Sequence, residues 1–121
     1  MSFNIIENKN FGEVITEAGN HPSLAERLKS LTTSSDIVVF MKGTSEAPQC
    51  GFSANTCAIL NSYKKSFKTF NILADQDVRQ GLKEFSNWPT YPQIYYKGKL
   101  LGGNDVIMEM HDNGELKELL G

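Results

Sequence analysis

The sequence predicts an α/β sandwich, in which helices cover both faces of a small mixed sheet. Helical and strand patterns alternate along the chain, and such alternation places strands side by side with crossover helices between them. The predicted strand at residues 36–41 is apolar from Ile37 onward, which is typical of a strand buried on both faces. A hairpin pattern at residues 94–101 adds an antiparallel pair, so the sheet is expected to be mixed.

Size and charge exclude several classes of protein. The chain has 121 residues, which favours one domain, and 40% of them are hydrophobic, which argues against wholesale disorder. Its net charge is −2, so it has no overall basic footprint for nucleic acid or an anionic membrane. A membrane helix needs roughly 20 apolar residues in a row, and the longest apolar run is residues 37–41. We therefore expect neither nucleic acid nor a membrane as a partner.

The first part of the chain differs from the rest. Residues 1–20 are predicted to form an N-terminal arm or a linker remnant, because their apolar residues are scattered among polar ones. A short helix over residues 11–18 is the one element expected there. The folded domain is predicted to span residues 21–121. Its first helix is expected to start at residues 20–23, where a proline is tolerated in the first turn and three leucines follow at helical spacing.

The remaining elements follow from apolar spacing, turn residues and glycine or proline breaks. Strands are predicted at residues 36–41, 68–72, 94–96 and 100–101, with the hairpin turn at residues 97–99. Helices are predicted at residues 51–63, 77–87, 105–111 and 114–120, with Asp77 starting the second of them.

Cys50 is the first candidate for chemistry, because it lies where a loop enters a predicted helix. Unpaired N–H groups and the positive end of a helix dipole stabilise a thiolate at such a place and lower the thiol pKa. Lys42, at the end of the preceding strand, is expected to add positive charge. A buried structural cysteine is the alternative, and the neighbouring Pro48 and Gly51 favour a loop rim instead.

The motif Cys50-Gly51-Phe52-Ser53 places a serine where a dithiol enzyme has its resolving cysteine. A hydroxyl cannot attack a mixed disulfide, so Cys50 must use a thiol from elsewhere or act as a ligand. Cys57 is interpreted as core packing within the helix. No bond between the two cysteines is expected, because seven residues of helix rise ~10 Å, and a disulfide spans Cα atoms within ~7 Å.

Two reduced thiols indicate a reducing compartment. We expect the cytoplasm, with the mitochondrial matrix as the alternative for a processed chain.

Two further segments are candidates for ligand binding. Thr90-Tyr91-Pro92 leads from a loop into a strand. A cis Tyr91–Pro92 peptide bond would let the Tyr91 backbone pair with an extended peptide. The residues alone do not favour a cis bond there. In the segment at residues 102–105, two glycines permit close approach and a helix N-terminus offers N–H groups to a carboxylate. Asp105 is equally well interpreted as a helix cap.

These segments together resemble the monothiol CGFS glutaredoxins. The resemblance extends over about residues 24–120 and is carried by Lys42-Gly43-Thr44, Pro48-Gln49-Cys50-Gly51-Phe52-Ser53, Trp88-Pro89-Thr90-Tyr91-Pro92-Gln93 and Gly102-Gly103-Asn104-Asp105. It implies a thioredoxin-like fold, with a four-stranded mixed sheet between helices, and a site for glutathione. It also implies a [2Fe-2S] cluster, held in the family by the motif cysteines of two subunits and the thiolates of two glutathione molecules.

Carried over residue by residue, the resemblance implies that Lys42 and Arg79 pair with the glycine carboxylate of glutathione. Tyr91, before a cis Pro92, would pair its backbone with the cysteinyl part. Without the resemblance, Arg79 is also interpreted as a solvated surface residue, and the ring of Tyr91 as packing.

The resemblance also assigns the other end of the tripeptide. A backbone N–H at Asn104 would hold the γ-glutamyl carboxylate, and the side chain of Asp105 would hold its amine. Position 104 is Cys in some relatives, and a backbone contact should survive that change. Cys50 would be both the catalytic thiol and the cluster ligand.

The leading expectation is therefore a cluster carrier that takes part in iron homeostasis. It would be a homodimer when cluster-bound, and BolA-like or other iron–sulfur proteins are the further partners expected. The alternative is a glutathione-dependent thiol–disulfide oxidoreductase that removes glutathione from mixed disulfides through Cys50. A third interpretation is a thioredoxin-fold adaptor module, in which residues 1–20 are a linker.

Overall fold

The computed structural model describes residues 5–7 and 23–121, and from residue 23 onward the elements lie in the order expected from the sequence. The strands are β1 (Ile5–Glu7), β2 (Ile37–Met41), β3 (Lys68–Asn71), β4 (Gln93–Tyr96) and β5 (Lys99–Gly102). The helices are α1 (Leu24–Thr32), α2 (Gly51–Ser62), α3 (Gln76–Ser86), α4 (Asn104–Asp112) and α5 (Glu115–Leu120), with a 3₁₀ turn at Ile72–Ala74.

The sheet is mixed, as predicted. Its order is β1-β3-β2-β4-β5; β2 and β3 are parallel, whereas β2 with β4 and β4 with β5 are antiparallel. The four predicted strands are β2 to β5. A fifth strand, β1, lies within the segment expected to be an arm and pairs antiparallel with β3, so that Ile5 lies opposite Phe70. The helix expected at residues 11–18 falls outside the described residues.

The position of β2 in the centre of the sheet explains why its sequence is apolar without alternation. Val38 and Phe40 join the cluster that α1 and α3 cover, whereas Ile37, Val39 and Met41 join the cluster under α2, α4 and α5. All five residues are buried, because each face of the sheet carries its own helical layer. The helices thus cover both faces, and the helix starts and loops at one end of the sheet are left free to form a site.

Two helix starts position the site. Ser23 caps α1 through a capping box with Glu26, in agreement with the predicted start. The predicted start of α3 at Asp77 is wrong, because the cap is Asp75, whose carboxylate accepts the Val78 N–H at 3.1 Å. The Arg27 guanidinium donates to the same carboxylate at 2.7 Å, so α1 holds the beginning of α3.

No helix among residues 23–121 is long and apolar enough to cross a bilayer.

Candidate functional site

A cavity of about 470 Å³ opens at the end of β2, between the loop that follows this strand and the starts of α2 and α4. Helix α3 and the loop before β4 close its other side. Every site residue expected from the sequence lines this cavity: Lys42, Cys50, Arg79, Tyr91, Pro92, Asn104 and Asp105. The structure also adds residues to the lining that the sequence did not single out, among them Phe52, Lys83 and Trp88.

Cys50 is the N-cap residue of α2 and is partly exposed at the cavity rim, so the alternative of a buried structural cysteine is wrong. Hydrogen bonds from the backbone N–H groups of Ser53 and Phe52 lower the pKa of its thiol. The positive charge of Lys42 and the Ser53 hydroxyl lower this pKa further, and partial burial opposes them. The helix start therefore holds the sulfur as a thiolate more readily than water does.

Ser53 has a second contact that the motif alone did not reveal. Its side chain is fully buried, and its hydroxyl oxygen accepts the backbone N–H of Lys42 at 3.3 Å. The same hydroxyl contacts Cys50 and lowers its pKa. The residue in the resolving position thus joins the end of β2 to the start of α2.

Cys57 is a core residue, as predicted. It is 3% exposed, and its sulfur lies 3.5 Å from the sulfur of Met41. Burial raises the pKa of its thiol to about 11, opposite in direction to that of Cys50. Cys50 is therefore the one cysteine that solvent reaches.

Three cations face the cavity. Lys42 comes from the end of β2, and Arg79 and Lys83 lie one turn apart on α3. Among residues 23–121, none of the three has a carboxylate within ion-pair distance. Lys83 was missed at the sequence level, although its i, i+4 spacing from Arg79 places both on one helix face.

The loop before β4 is fixed by buried polar side chains. The Tyr91–Pro92 bond is cis, and the Tyr91 hydroxyl donates to the carbonyl of Arg79 at 2.6 Å. The Tyr91 ring is buried, which confirms the packing role expected for it. Gln93, also missed, is fully buried, and its amide donates to the Trp88 carbonyl at 3.0 Å.

The start of α4 forms the far wall. Its N-cap is Gly103, so the interpretation of Asp105 as a helix cap is wrong; Asp105 is exposed and available to a ligand. A Cβ at Gly103 would lie 3.2 Å from the Pro92 carbonyl oxygen and 3.5 Å from Nε1 of Trp88. Glycine therefore lets the helix start approach the loop, a contact tight enough that a side chain would displace one of them.

Asn104 has a structural role that sequence reasoning did not find. Its side-chain oxygen accepts hydrogen bonds from Asn55 at 2.9 Å and from Thr56 at 3.0 Å. Since both donors belong to α2, the buried amide joins the middle of α2 to the start of α4. The side-chain oxygen is occupied in this way, and the side-chain nitrogen donates to the sulfur of Met108 at 3.3 Å.

The glutaredoxin family model matches residues 37–101. The chain is 49% identical to Monothiol glutaredoxin-S17 of Arabidopsis thaliana over 96% of this chain and 25% of that protein. It is 51% identical to Glutaredoxin-3 of Mus musculus over 89% of this chain and 32% of that protein. A monothiol glutaredoxin of Synechocystis is 49% identical over 83% of this chain and 94% of its own. The chain thus spans a quarter to a third of the length of the Arabidopsis and mouse proteins.

Solved structures agree with the fold. The reduced apo form of poplar GrxS14 superposes with a TM-score of 0.72 and 46% identity, covering 82% of this chain and 91% of that one. A truncated Trypanosoma brucei 1-C-Grx1 gives a TM-score of 0.73 at 34% identity, covering 83% and 91%. The thioredoxin-like fold is therefore confirmed. With its single accessible thiol and a cationic cavity beside it, the chain belongs to the glutaredoxin family and, within it, to the monothiol glutaredoxins.

Proposed function

We propose that this protein binds glutathione and carries a [2Fe-2S] cluster shared between two copies of the chain. The observation that carries the proposal is a partly exposed Cys50, whose thiol pKa is lowered, followed by a serine in the resolving position. A thiolate is the ligand that such clusters require, and a carrier needs no second cysteine nearby. Cys57 is buried and its pKa is raised, so it does not compete for this role.

The cavity has the charge and size for glutathione. Its volume of about 470 Å³ lies within the ~300–1,000 Å³ usual for small-ligand pockets. Lys42 and Arg79 offer positive charge to the glycine carboxylate, and the Tyr91 backbone before Pro92 lies where an extended cysteinyl unit would pair. At the far wall, the proposal has the N–H of Asn104 bind the γ-glutamyl carboxylate and the side chain of Asp105 bind its amine. The close approach at Gly103 keeps that wall open to the ligand backbone.

Ligand arithmetic supports a dimer. A [2Fe-2S] cluster takes four thiolates, and each chain offers Cys50 alone. No group of three or more His, Cys, Asp or Glu side chains among the described residues could hold a metal by itself. Two copies of Cys50 and two glutathione thiolates complete the set. We propose that a BolA-like or other iron–sulfur protein can replace one of the two copies of the chain. We also propose a reducing compartment such as the cytoplasm.

Spectroscopy of the reconstituted protein tests the carrier proposal. Iron and sulfide are added without oxygen to the purified chain, with glutathione in one sample and without it in the other. We expect visible charge-transfer bands that persist on gel filtration in the glutathione sample alone. If that sample stays colourless, the carrier proposal is wrong.

A second candidate function uses the same thiolate as a nucleophile. Cys50 would attack the glutathione sulfur of a mixed disulfide, and the released substrate thiolate would take a proton. A second glutathione thiolate would then reduce the Cys50–glutathione disulfide, which yields oxidised glutathione and regenerates Cys50. The lowered pKa and the open cavity favour this route. Turnover of a glutathionylated peptide at the rate of a dithiol glutaredoxin would favour it over the carrier.

A further inference from the structure

Asn71 is a polar side chain, outside the cavity lining, that the proposed function does not use. It is the last residue of β3, and its side-chain oxygen accepts two backbone hydrogen bonds. One comes from the N–H of Gly43 at 2.9 Å, and the other comes from the N–H of Leu73 at 3.0 Å. The side chain therefore joins the end of β3 to the loop that follows β2.

The loop that follows β2 reverses its direction at Gly43. Its φ angle is +91°, and a Cβ there would lie 2.6 Å from the Ala47 carbonyl oxygen and 2.8 Å from the backbone nitrogen of Gln49. Gly43 also forms an isolated β-bridge with Pro48. Only glycine adopts this conformation in so little space. The position of Gly43 therefore sets the path of the loop that ends at Cys50.

Lys42 shares this anchoring. Its carbonyl accepts the N–H of Gln49 at 2.9 Å, and its own N–H donates to the Ser53 hydroxyl at 3.3 Å. The backbone at Lys42 and Gly43 is thus bonded to the loop, to α2 and, through Asn71, to β3.

We propose that Asn71 is a positioning residue for the cavity: its side-chain oxygen fixes the backbone at Gly43, and thereby the places of the Lys42 ammonium group and of the Cys50 loop. Position 71 requires an acceptor that reaches two N–H groups at once. Asparagine and aspartate meet this requirement, and alanine does not. The effect of Asn71 on ligand binding rests on the proposed glutathione site, whereas its effect on the Gly43 backbone does not.

Three variants of the full chain test the proposal. N71A removes the acceptor, and N71D keeps an oxygen in the same place. N113A is the matched control, because Asn113 similarly accepts the N–H of Glu115 at 2.9 Å, at the start of α5 and away from the cavity lining. Amide hydrogen exchange of Gly43 reports the anchoring directly, and calorimetry with reduced glutathione reports the affinity.

In N71A we expect exchange at Gly43 to accelerate and glutathione to bind about 3- to 10-fold more weakly, the loss typical of one hydrogen bond. N71D should keep Gly43 protected. N113A should lower the melting temperature and leave both the Gly43 exchange and the affinity unchanged.

The proposal is wrong if the Gly43 amide of N71A stays as protected as in the wild type. Equal effects of N71A and N113A would also overturn it, since they would show a loss of overall stability alone. A wild-type chain that binds no glutathione would contradict the proposed function. In that case the exchange at Gly43 in N71A and N71D still decides the role of Asn71.

Discussion

At the scale of single residues, hydrogen-bond donors from its own helix lower the pKa of the Cys50 thiol. The first of these is the backbone N–H of Ser53, and the Ser53 hydroxyl adds to it. Because the fold lowers this pKa, the thiolate stabilises the native state above the pKa of the unfolded chain. That contribution is lost as pH falls through the folded-state pKa.

Replacing Ser53 with alanine should raise the pKa of Cys50. The variant loses the hydroxyl and leaves the N–H of Lys42 without its acceptor, while the backbone donors remain. We expect the alkylation rate of Cys50 to rise at a higher pH than in the wild type, because the thiolate loses one of its hydrogen-bond donors. S62A is the control, because the Ser62 hydroxyl donates to the Ile59 carbonyl at the other end of α2. A profile unchanged in S53A would contradict this account.

The two cysteines should respond differently to substitution by serine. C50S removes the exposed thiolate, so we expect it to lose the visible bands of the reconstituted protein. C57S should keep those bands and unfold at lower denaturant, since it places a hydroxyl in an apolar environment at a cost of roughly 1–3 kcal/mol. Absorbance and urea unfolding of both variants check the prediction. Bands retained in C50S and lost in C57S would reverse the two roles.

The residues found from the sequence share a local signal, whereas several contacts within the site leave none. Cys50, Tyr91 and Pro92 lie in short motifs whose chemistry is readable from their neighbours. The contacts of Ser53 with Lys42 and of Gln93 with Trp88 depend on how distant or folded-back segments meet. Such contacts leave no trace in composition or spacing, so the structure was needed to find them.

At the scale of elements, α3 depends on its N-cap residue for both a helix cap and an ion pair. Asp75 accepts the Val78 N–H and binds Arg27, and the two charged side chains are 8% and 11% exposed. This helix carries Arg79 and Lys83 into the cavity. Its start therefore determines where two of the three cavity cations lie.

D75A should destabilise the protein by about 3 kcal/mol or more, because it removes the cap and leaves the buried Arg27 without this carboxylate. D75N keeps the acceptor for Val78 and should lose less. D77A is the control: Asp77 is exposed in the first turn, so its loss should change stability by only about 0.5 kcal/mol. Urea unfolding measures all three, and a D77A loss equal to that of D75A would refute the assignment.

The order of the elements from α1 onward was predictable from the sequence, whereas the strand β1 and the cap of α3 were not. The apolar run in β2 and the turn Lys97-Gly98 identified their elements because each signal is local. The sequence predicts a start of α3 at Asp77, because a carboxylate also suits the first turn of a helix. A short 3₁₀ turn follows β3, and the cap after it is Asp75. The extended backbone of Asp75, which suits a helix cap, becomes evident only in the structure.

At the scale of the whole molecule, the proposed cluster couples metal content to oligomeric state. Sedimentation velocity should show one chain in the apo protein and twice that mass when glutathione and cluster are both present. C50S should remain at the lower mass under all conditions. The reason is stoichiometric, since one accessible thiol per chain cannot complete four ligands. A dimer that persists after removal of the iron would contradict this coupling.

The short strand β1 also has a consequence for solubility. It occupies the outer side of β3, whose residues Lys68, Thr69 and Phe70 are buried. A chain cut after residue 7 would leave the backbone C=O and N–H groups on the outer side of β3 without their strand partner. Open rows of this kind recruit strands from other molecules. Trimmed samples should therefore form larger particles in light scattering as their concentration rises, whereas the intact chain should not. The three residues of β1 would thus protect the edge of the sheet against aggregation.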